Sequence, residues 1–233
     1  RDLRMSRGLG DVYKRQGTDS FKWDYEGENG KYIPLGVADT DFKAPEEAIA
    51  AVRERTEFGV YAYGALPQER FAASICNWYK KRYGLTVDPE AIRHSQGLMT
   101  GALWMILNAY TRPGDKVLIQ APVYHTFSIV IKGAGRFVES NDLVLKDGRY
   151  EMDFEDLEKK VADPRVRIML ICNPHNPVGR VWTKEELTKV AEICKKNNTI
   201  LLGDEIHGDI VYGEHKHTPL FLSLIHISEP TRH

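Results

Sequence analysis

A loop with two Asn-Pro pairs and a short strand ending in acidic residues are the segments of this sequence best suited to chemistry. Residues 173–179 read NPHNPVG, and residues 200–207 read ILLGDEIH. Prolines restrict the backbone on both sides of Asn176, which preorganises its carboxamide for hydrogen bonding. A rigid structural turn is the alternative interpretation of the same composition.

Acidic and histidine side chains cluster at the end of the second segment, where Asp204, Glu205 and His207 follow an aliphatic run. A carboxylate at a strand end can face a buried cationic ring nitrogen, whereas a helix cap or a surface charge is the structural alternative for Asp204. His207 is a candidate binding residue or a structural histidine. The spacing of His207, His215 and His217 matches no zinc signature, so we predict no metal site.

Predicted helices and strands alternate around these two segments. Apolar periodicity, turns and capping residues predict helices near 98–110, 124–132, 153–162 and 183–197, and strands near 116–120, 136–145, 167–172 and 199–202. Two earlier helices are predicted to begin at Pro45 and Pro67, the second ending near Gly84. The pattern indicates an α/β fold with a mostly parallel sheet covered by helices, and ligands beyond the carboxyl ends of the strands.

The composition excludes several classes of partner. The 233 residues include 32 basic and 33 acidic residues, for a formal net charge of −1. Nothing in this balance steers the chain toward nucleic acid or an anionic membrane surface. The apolar runs are strand-sized, so no membrane or secretory segment is predicted. Cys76, Cys172 and Cys194 lie in apolar or helical patterns, which indicates reduced thiols and a cytoplasmic location.

The two ends differ in pattern from the rest of the chain. Residues 1–16 read RDLRMSRGLGDVYKRQ, and residues 221–233 read FLSLIHISEPTRH. Both ends resemble translated adaptor sequence, so we expect a non-native head at 1–16 and a non-native tail at 221–233. The alternative is a charged natural arm and a short natural tail.

Local signatures across most of residues 17–220 resemble pyridoxal-phosphate enzymes of fold type I, in the aminotransferase class I/II superfamily. They are GTDSFKWD at 17–24, GVADTDF at 36–42, YAYG at 61–64, PVY at 122–124, NPHNPVG at 173–179, DEIH at 204–207 and YGE at 212–214. The KWD opening and the DEIH segment are most similar to the MalY/PatB type of cystathionine β-lyase. The resemblance implies an N-terminal segment at 17–50 that belongs to a small domain and walls the pocket. It also implies an incomplete cofactor-binding large domain at 51–220, with the small domain largely missing.

The resemblance assigns four side chains to the ring of pyridoxal 5'-phosphate. Asp204 would contact the pyridine nitrogen and keep it protonated, and Asn176 would donate to the phenolic oxygen. Tyr124 would stack on the ring face. His207 would lie near the cofactor oxygen.

The phosphate of the cofactor would be bound by backbone and by a second subunit. Gly97, Leu98 and Met99 would present N–H groups at a helix start, where the helix dipole favours an anion. Tyr63 would reach the phosphate of the neighbouring subunit, which implies a homodimer. A core aromatic is the alternative for Tyr63, because Tyr61 and Tyr63 alternate like a half-buried strand.

The family also requires a Schiff-base lysine, after a further strand beyond Asp204. The last lysine of the sequence is Lys216, in a polar run, so we predict no catalytic residue within the chain. For the full-length parent the resemblance implies β-elimination of cystathionine or another sulfur-containing amino acid to thiol, pyruvate and ammonia. Transamination is the alternative reaction. For the chain as given, an inactive fragment or a non-catalytic cofactor-binding module is the alternative function.

Overall fold

The computed structural model describes residues 13, 15–64, 67–97 and 101–221. The chain divides into two units, Arg1–Ala65 and Leu66–His233. This boundary lies later than the predicted one at residues 50 and 51, and the assignment of the domains stays a prediction. Within the described ranges, no helix is long and apolar enough to cross a membrane.

Helices and turns make up the described part of the first unit. A π-helical segment, Phe21–Glu26, precedes a short 3-10 helix, Glu28–Gly30, and helix α1, Glu46–Glu57. Pro45 precedes α1, and the two acidic residues of its first turn complement the helix dipole. The predicted start of this helix is confirmed.

Asp41 joins two of the sequence signatures within the first unit. Its carboxylate accepts hydrogen bonds from Lys22 Nζ at 2.8 Å and from Trp23 Nε1 at 2.8 Å. The hydrogen bond from Lys22, followed by that from Trp23, lowers the pKa of Asp41 below its ordinary value of 3.8. Both donors are buried, at 8% and 7% exposure. Asp41 therefore fixes the KWD opening against residues 39–42.

Two described residues of the predicted head also contact this region. Tyr13 N donates to Asp41 O at 2.7 Å, and Arg15 Nη2 lies 3.0 Å from Asp39 Oδ2 and 3.2 Å from Asp41 Oδ1. The non-native origin of residues 1–16 stays a prediction.

An alternation of helices and strands builds the second unit. In chain order its elements are α2 Gln68–Tyr83, a 3-10 helix Pro89–Ala91, α3 Leu103–Tyr110, β1 Lys116–Ile119, α4 Thr126–Gly133, β2 Phe137–Ser140, β3 Val144–Lys146, β4 Arg149–Glu151, α5 Phe154–Val161, β5 Val166–Cys172, α6 Lys184–Lys196 and β6 Ile200–Asp204. Strands β2, β1, β5 and β6 form a parallel sheet in that spatial order. The predicted α/β class is confirmed.

The two faces of the parallel sheet carry separate hydrophobic clusters. On β5, Met169 and Ile171 pack with residues of α5 and α6, among them Leu157 and Leu187. Ile168, Leu170 and Cys172 pack on the opposite side with Leu103 and Leu107 of α3 and with Phe127 and Ile131 of α4. From Ile168 to Cys172, side chains alternate along the strand, so each of these residues serves one cluster only. Burial on both faces holds the strand in a single register.

Three element boundaries differ from the prediction. Helix α3 begins at Leu103, after a wider turn at Gly101 and Ala102, while residues 98–100 lie outside the described part of the chain. Strand β6 extends to Asp204, because Asp204 pairs with Cys172. The region predicted as strands near 136–145 also continues into an antiparallel β3–β4 hairpin.

The ion pair at Asp41 predicts a pH-dependent contribution to stability. A carboxyl whose pKa is lowered by folding stabilises the folded state above its unfolded pKa and loses this effect as pH falls through the folded pKa. Asp41→Asn should therefore lower the melting temperature at pH 7, with the difference from the unaltered chain vanishing in acid. Asp19→Asn, at an exposed turn position, is the control for melting followed by circular dichroism. Equal melting of the Asp41→Asn and Asp19→Asn variants at pH 7 would contradict this role.

Candidate functional site

The carboxyl ends of three neighbouring strands place predicted binding residues at one edge of the sheet. Cys172 of β5 pairs with Asp204 of β6, and Asn173 N donates to Asp204 O at 2.9 Å. Strand β1 flanks β5 on its other side, and Tyr124 follows β1. The topology therefore brings Asp204, residues 173–179 and residues 121–124 to the edge where ligands bind in parallel α/β folds.

The carboxylate of Asp204 is buried and forms no ion pair with another described residue. Asp204 is 8% exposed, and its Oδ1 accepts a hydrogen bond from Ile206 N at 3.2 Å. Burial raises the pKa of Asp204, and the Ile206 hydrogen bond and the nearby His207 only partly oppose this effect. A buried carboxylate in this state gains free energy from a cationic group that binds beside it. Asp204 therefore suits the protonated ring nitrogen of pyridoxal phosphate.

The loop at residues 173–179 is held by hydrogen bonds on both sides of Asn176. His175 Nε2 lies 2.9 Å from Pro122 O, which connects this loop with the residues after β1. His175 N donates to Arg180 O at 2.7 Å, and Gly179 N donates to His175 O at 2.8 Å. Gly179 has a φ of 72°, which suits glycine. The Asn176 carboxamide forms no hydrogen bond within the described part of the chain, so a ligand can accept from it.

His175 itself is a buried side chain whose role we did not predict. It is 2% exposed and packs edge to face on Trp182, with ring centroids 5.4 Å apart. Burial lowers the pKa of His175, which favours the neutral imidazole. With Nε2 donating to Pro122 O, this side chain acts as a spacer that connects two loops of the site.

Asn176 and His207 line the same cavity of about 360 Å³. Its wall comes from the loop after β5 and from the segment after β6: Pro174, His175, Asn176, Pro177, Gly179, Val181, His207, Ile210, Val211, Tyr212 and His215. Asp204 and Tyr124 do not line this cavity, although they lie at the same sheet edge. The structure thus brings two of the predicted residues into one cavity and places two others at the same edge of the sheet.

The ring of Tyr124 is half-buried and packed. It meets Phe127 edge to face with centroids 5.6 Å apart, and His125 at 5.2 Å. Its packing against the α3–α4 cluster restricts the ring orientation. Stacking of Tyr124 on a cofactor stays a prediction.

The predicted phosphate-binding segment is described only at its edges. Gly97 has a φ of 70°, and its carbonyl accepts a hydrogen bond from Ala102 N at 3.1 Å. Leu98 and Met99 lie outside the described residues. Gly101, which we did not predict, packs so closely that an added Cβ would lie 2.4 Å from Ser95 Oγ and 2.5 Å from Gln96 O. The recurrence of glycine four residues after Gly97 is the sequence signal for this close approach.

Tyr63 belongs to the first unit, where its side chain is exposed and lies outside any strand. Its alternative interpretation as a core aromatic is therefore wrong. Its role toward a neighbouring subunit stays a prediction.

As for metals, no group of three or more His, Cys, Asp or Glu side chains within the described ranges could hold an ion.

Comparison with known proteins gives a consistent family. Residues 30–229 match the family model for aminotransferase class I and II. The chain is 44% identical over 214 residues to cystathionine β-lyase PatB of Bacillus subtilis, covering 91% of this chain and 54% of that protein. It is 30% identical over 211 residues to protein MalY of Escherichia coli, covering 89% and 54%. The chain thus spans about half the length of the curated relatives it matches.

Solved structures of proteins that contain pyridoxal 5'-phosphate are also similar to this chain. Cystalysin of Treponema denticola, which contains a pyridoxal 5'-phosphate cofactor, matches with a TM-score of 0.84 and 34% identity, over 91% of this chain and 55% of that one. The pyridoxal-phosphate-bound C–S lyase of Staphylococcus hominis matches with a TM-score of 0.84 and 31% identity, over 93% and 55%. Both matches support the fold described above.

Burial of Asp204 predicts that the site costs stability in the absence of ligand. An aspartate whose pKa is raised by folding opposes folding above its unfolded pKa, and this cost disappears as pH falls below that value. Asp204→Asn keeps an acceptor for Ile206 N and should raise the melting temperature of the cofactor-free chain at pH 7 by about 2 °C or more. Differential scanning calorimetry measures it, with the exposed hairpin substitution Asp147→Asn as control. A lower melting temperature for Asp204→Asn at pH 7 would show that burial imposes no such cost.

Proposed function

Because the chain belongs to the aminotransferase class I and II family, we propose that the full-length protein is a pyridoxal-phosphate-dependent carbon-sulfur β-lyase. Its substrate would be cystathionine or another cysteine S-conjugate, which it would convert to a thiol, pyruvate and ammonia. The observation that carries the cofactor assignment is the buried carboxylate of Asp204, which has no ion-pair partner among the described residues. The lyase assignment is supported by the names of the similar proteins.

When bound, pyridoxal phosphate supplies an electron sink for negative charge at the substrate Cα. Asp204 would stay ionised beside the ring nitrogen and would hold a proton on that atom. Its burial makes this interaction strong, because little water competes for the carboxylate. Without Asp204 no carboxylate would hold the ring nitrogen protonated, and the cofactor would be a weaker electron sink.

The other residues bind and orient. Asn176 would donate from its carboxamide to the phenolic oxygen of the cofactor, and His207, which lines the same cavity as Asn176, would lie near that oxygen. Tyr124 would cover one ring face and exclude water. Backbone N–H groups at Gly97, Leu98 and Met99 would bind the phosphate.

Three further features complete the proposal. The full-length enzyme would be a cytoplasmic homodimer in which Tyr63 reaches the phosphate of the neighbouring subunit. The lysine that anchors the cofactor would come from a part of the longer protein. The last lysine of the sequence, Lys216, does not line the cavity of Asn176 and His207. The 233 residues by themselves would then hold the cofactor reversibly and lack lyase activity.

The reaction type can be tested on the full-length protein. We expect cystathionine to yield a thiol and pyruvate in equal amounts, detected by thiol titration and by coupled lactate dehydrogenase. Asp204→Ala should reduce kcat/KM by about 100-fold, and Asp147→Asn at the hairpin turn should leave it unchanged. Consumption of a 2-oxo acid without thiol release would identify the protein as an aminotransferase.

The 233-residue chain offers a separate test of the missing anchor. Reduction of the chain with borohydride in the presence of pyridoxal phosphate should give no single modified lysine above the background of exposed lysines. Peptide mass spectrometry measures the distribution of the modification. Stoichiometric labelling of one lysine, Lys216 included, would contradict the proposal that the anchor lies elsewhere.

A further inference from the structure

Asn173, the first residue of the NPHNPVG loop, connects three separate segments of the second unit. Its side chain is buried at 1% exposure. Its Oδ1 accepts from Trp182 N at 3.1 Å, and its Nδ2 donates to Thr218 O at 3.1 Å. Its backbone N–H donates to Asp204 O at 2.9 Å. A single residue thus contacts the end of β6, the approach to α6 and the segment near residue 218.

His217 continues this polar connection toward the residue after Asp204. Its Nδ1 lies 3.4 Å from Asn173 Nδ2, and its Nε2 lies 3.4 Å from Glu205 Oε1. The two neighbours indicate which ring nitrogen of His217 carries hydrogen. An amide N–H faces Nδ1, which therefore accepts, and a carboxylate faces Nε2, which therefore donates. His217 is buried at 9% exposure, and the Tyr83 ring packs on it edge to face at 5.5 Å. Asn173, His217 and Glu205 therefore form a largely buried polar chain.

Residues 217–220, which we call the strap, also pack on the residue before Asp204. A Cβ added at Gly203 would lie 2.9 Å from Leu220 Cδ2, so the Leu220 side chain rests directly on the glycine. Leu220 N in turn donates to Glu205 Oε1 at 2.6 Å. The strap thus contacts both residues that flank Asp204 in sequence.

From these contacts we propose that Asn173 is a positioning residue that uses the strap to hold Asp204 and the Asn176 loop in register with each other. The inference rests on the proposed function, since it concerns the same cofactor site. Asn173 forms no part of the cavity wall and acts through its neighbours. It restrains the carbonyl of Asp204 directly, and the strap restrains Gly203 and Glu205.

The physical reason for such a device is the cost of burying Asp204. A carboxylate that is destabilised by burial gains free energy when it turns toward water. A fixed backbone on both sides of the residue limits this movement. Preorganised sites need supporting hydrogen bonds of this type to keep a charged group in its productive orientation. Asn173 is suited to this role because it donates and accepts at the same time, whereas an apolar residue would leave Trp182 N and Thr218 O without partners.

Two substitutions in the 233-residue chain test the proposal, one at Asn173 and one at the glycine on which the strap packs. Asn173→Ala removes the connection to the strap, and Gly203→Ala displaces the strap by crowding Leu220. Asn197→Ala is the matched control, because Asn197 Nδ2 donates to Ile193 O at 2.9 Å at the end of α6. Amide hydrogen exchange at residues 204–208 and the dissociation constant of pyridoxal phosphate, by equilibrium dialysis, are the two measurements.

We expect Asn173→Ala and Gly203→Ala each to speed exchange at residues 204–208 and to weaken pyridoxal-phosphate binding by about tenfold. Asn197→Ala should change only the melting temperature. Exchange rates and a dissociation constant equal to those of the unaltered chain, in whichever of the two variants folds, would overturn the positioning role. If the unaltered chain itself binds no pyridoxal phosphate, the reversible binding proposed for the 233 residues fails, and the exchange rates alone still decide the role of Asn173.

Discussion

The parallel pairing of β5 with β6 is the constraint on which the rest of the candidate site depends. This pairing sets Asp204 opposite Cys172 and brings Asn173 N within hydrogen-bonding distance of Asp204 O. A slip of one residue would exchange the two faces of the strand, and the two hydrophobic clusters would each lose their partners. Packing of the core therefore fixes the position of the carboxylate.

The site that results is a balance between burial and orientation. Burial of Asp204 keeps water away from its carboxylate and raises its pKa. At neutral pH this burial opposes folding of the cofactor-free chain, whereas an amide side chain at the same position would not carry this cost. The same scarcity of water strengthens any contact with a cationic ring. Contacts from Asn173 and from residues 217–220 hold the backbone carbonyl of Asp204 and the residues on both sides of it, and no described residue forms an ion pair with the carboxylate. The arrangement suits a ligand that brings the charge with it, which is the property expected of a pyridinium ring.

Much of the fold followed from the sequence because its signals are local. Pro45 and Gly84 mark helix ends by their own backbone chemistry, and the structure confirms both. The helix predicted near 183–197 is also confirmed, and it begins with a capping box formed by Thr183 and Glu186. The start of α3 was harder to predict from the sequence, since it depends on how closely Gly101 packs against Ser95. Contacts between segments that are distant in sequence produce no periodic pattern of residues that could be recognised in the sequence. The link from Asn173 to His217 therefore could not be predicted, although Asn173 lies within the motif that drew attention to Asn176.

In the proposed site, Asp204 keeps the ring nitrogen of bound pyridoxal phosphate protonated. The most direct measurement is the ¹⁵N chemical shift of ring-labelled pyridoxal phosphate bound to the protein at neutral pH, compared with the same cofactor bound to Asp204→Asn. We predict the shift of a protonated pyridinium for the unaltered protein and that of a neutral pyridine for the variant. A neutral-pyridine shift in the unaltered protein would contradict the claim and remove the basis of the proposed site.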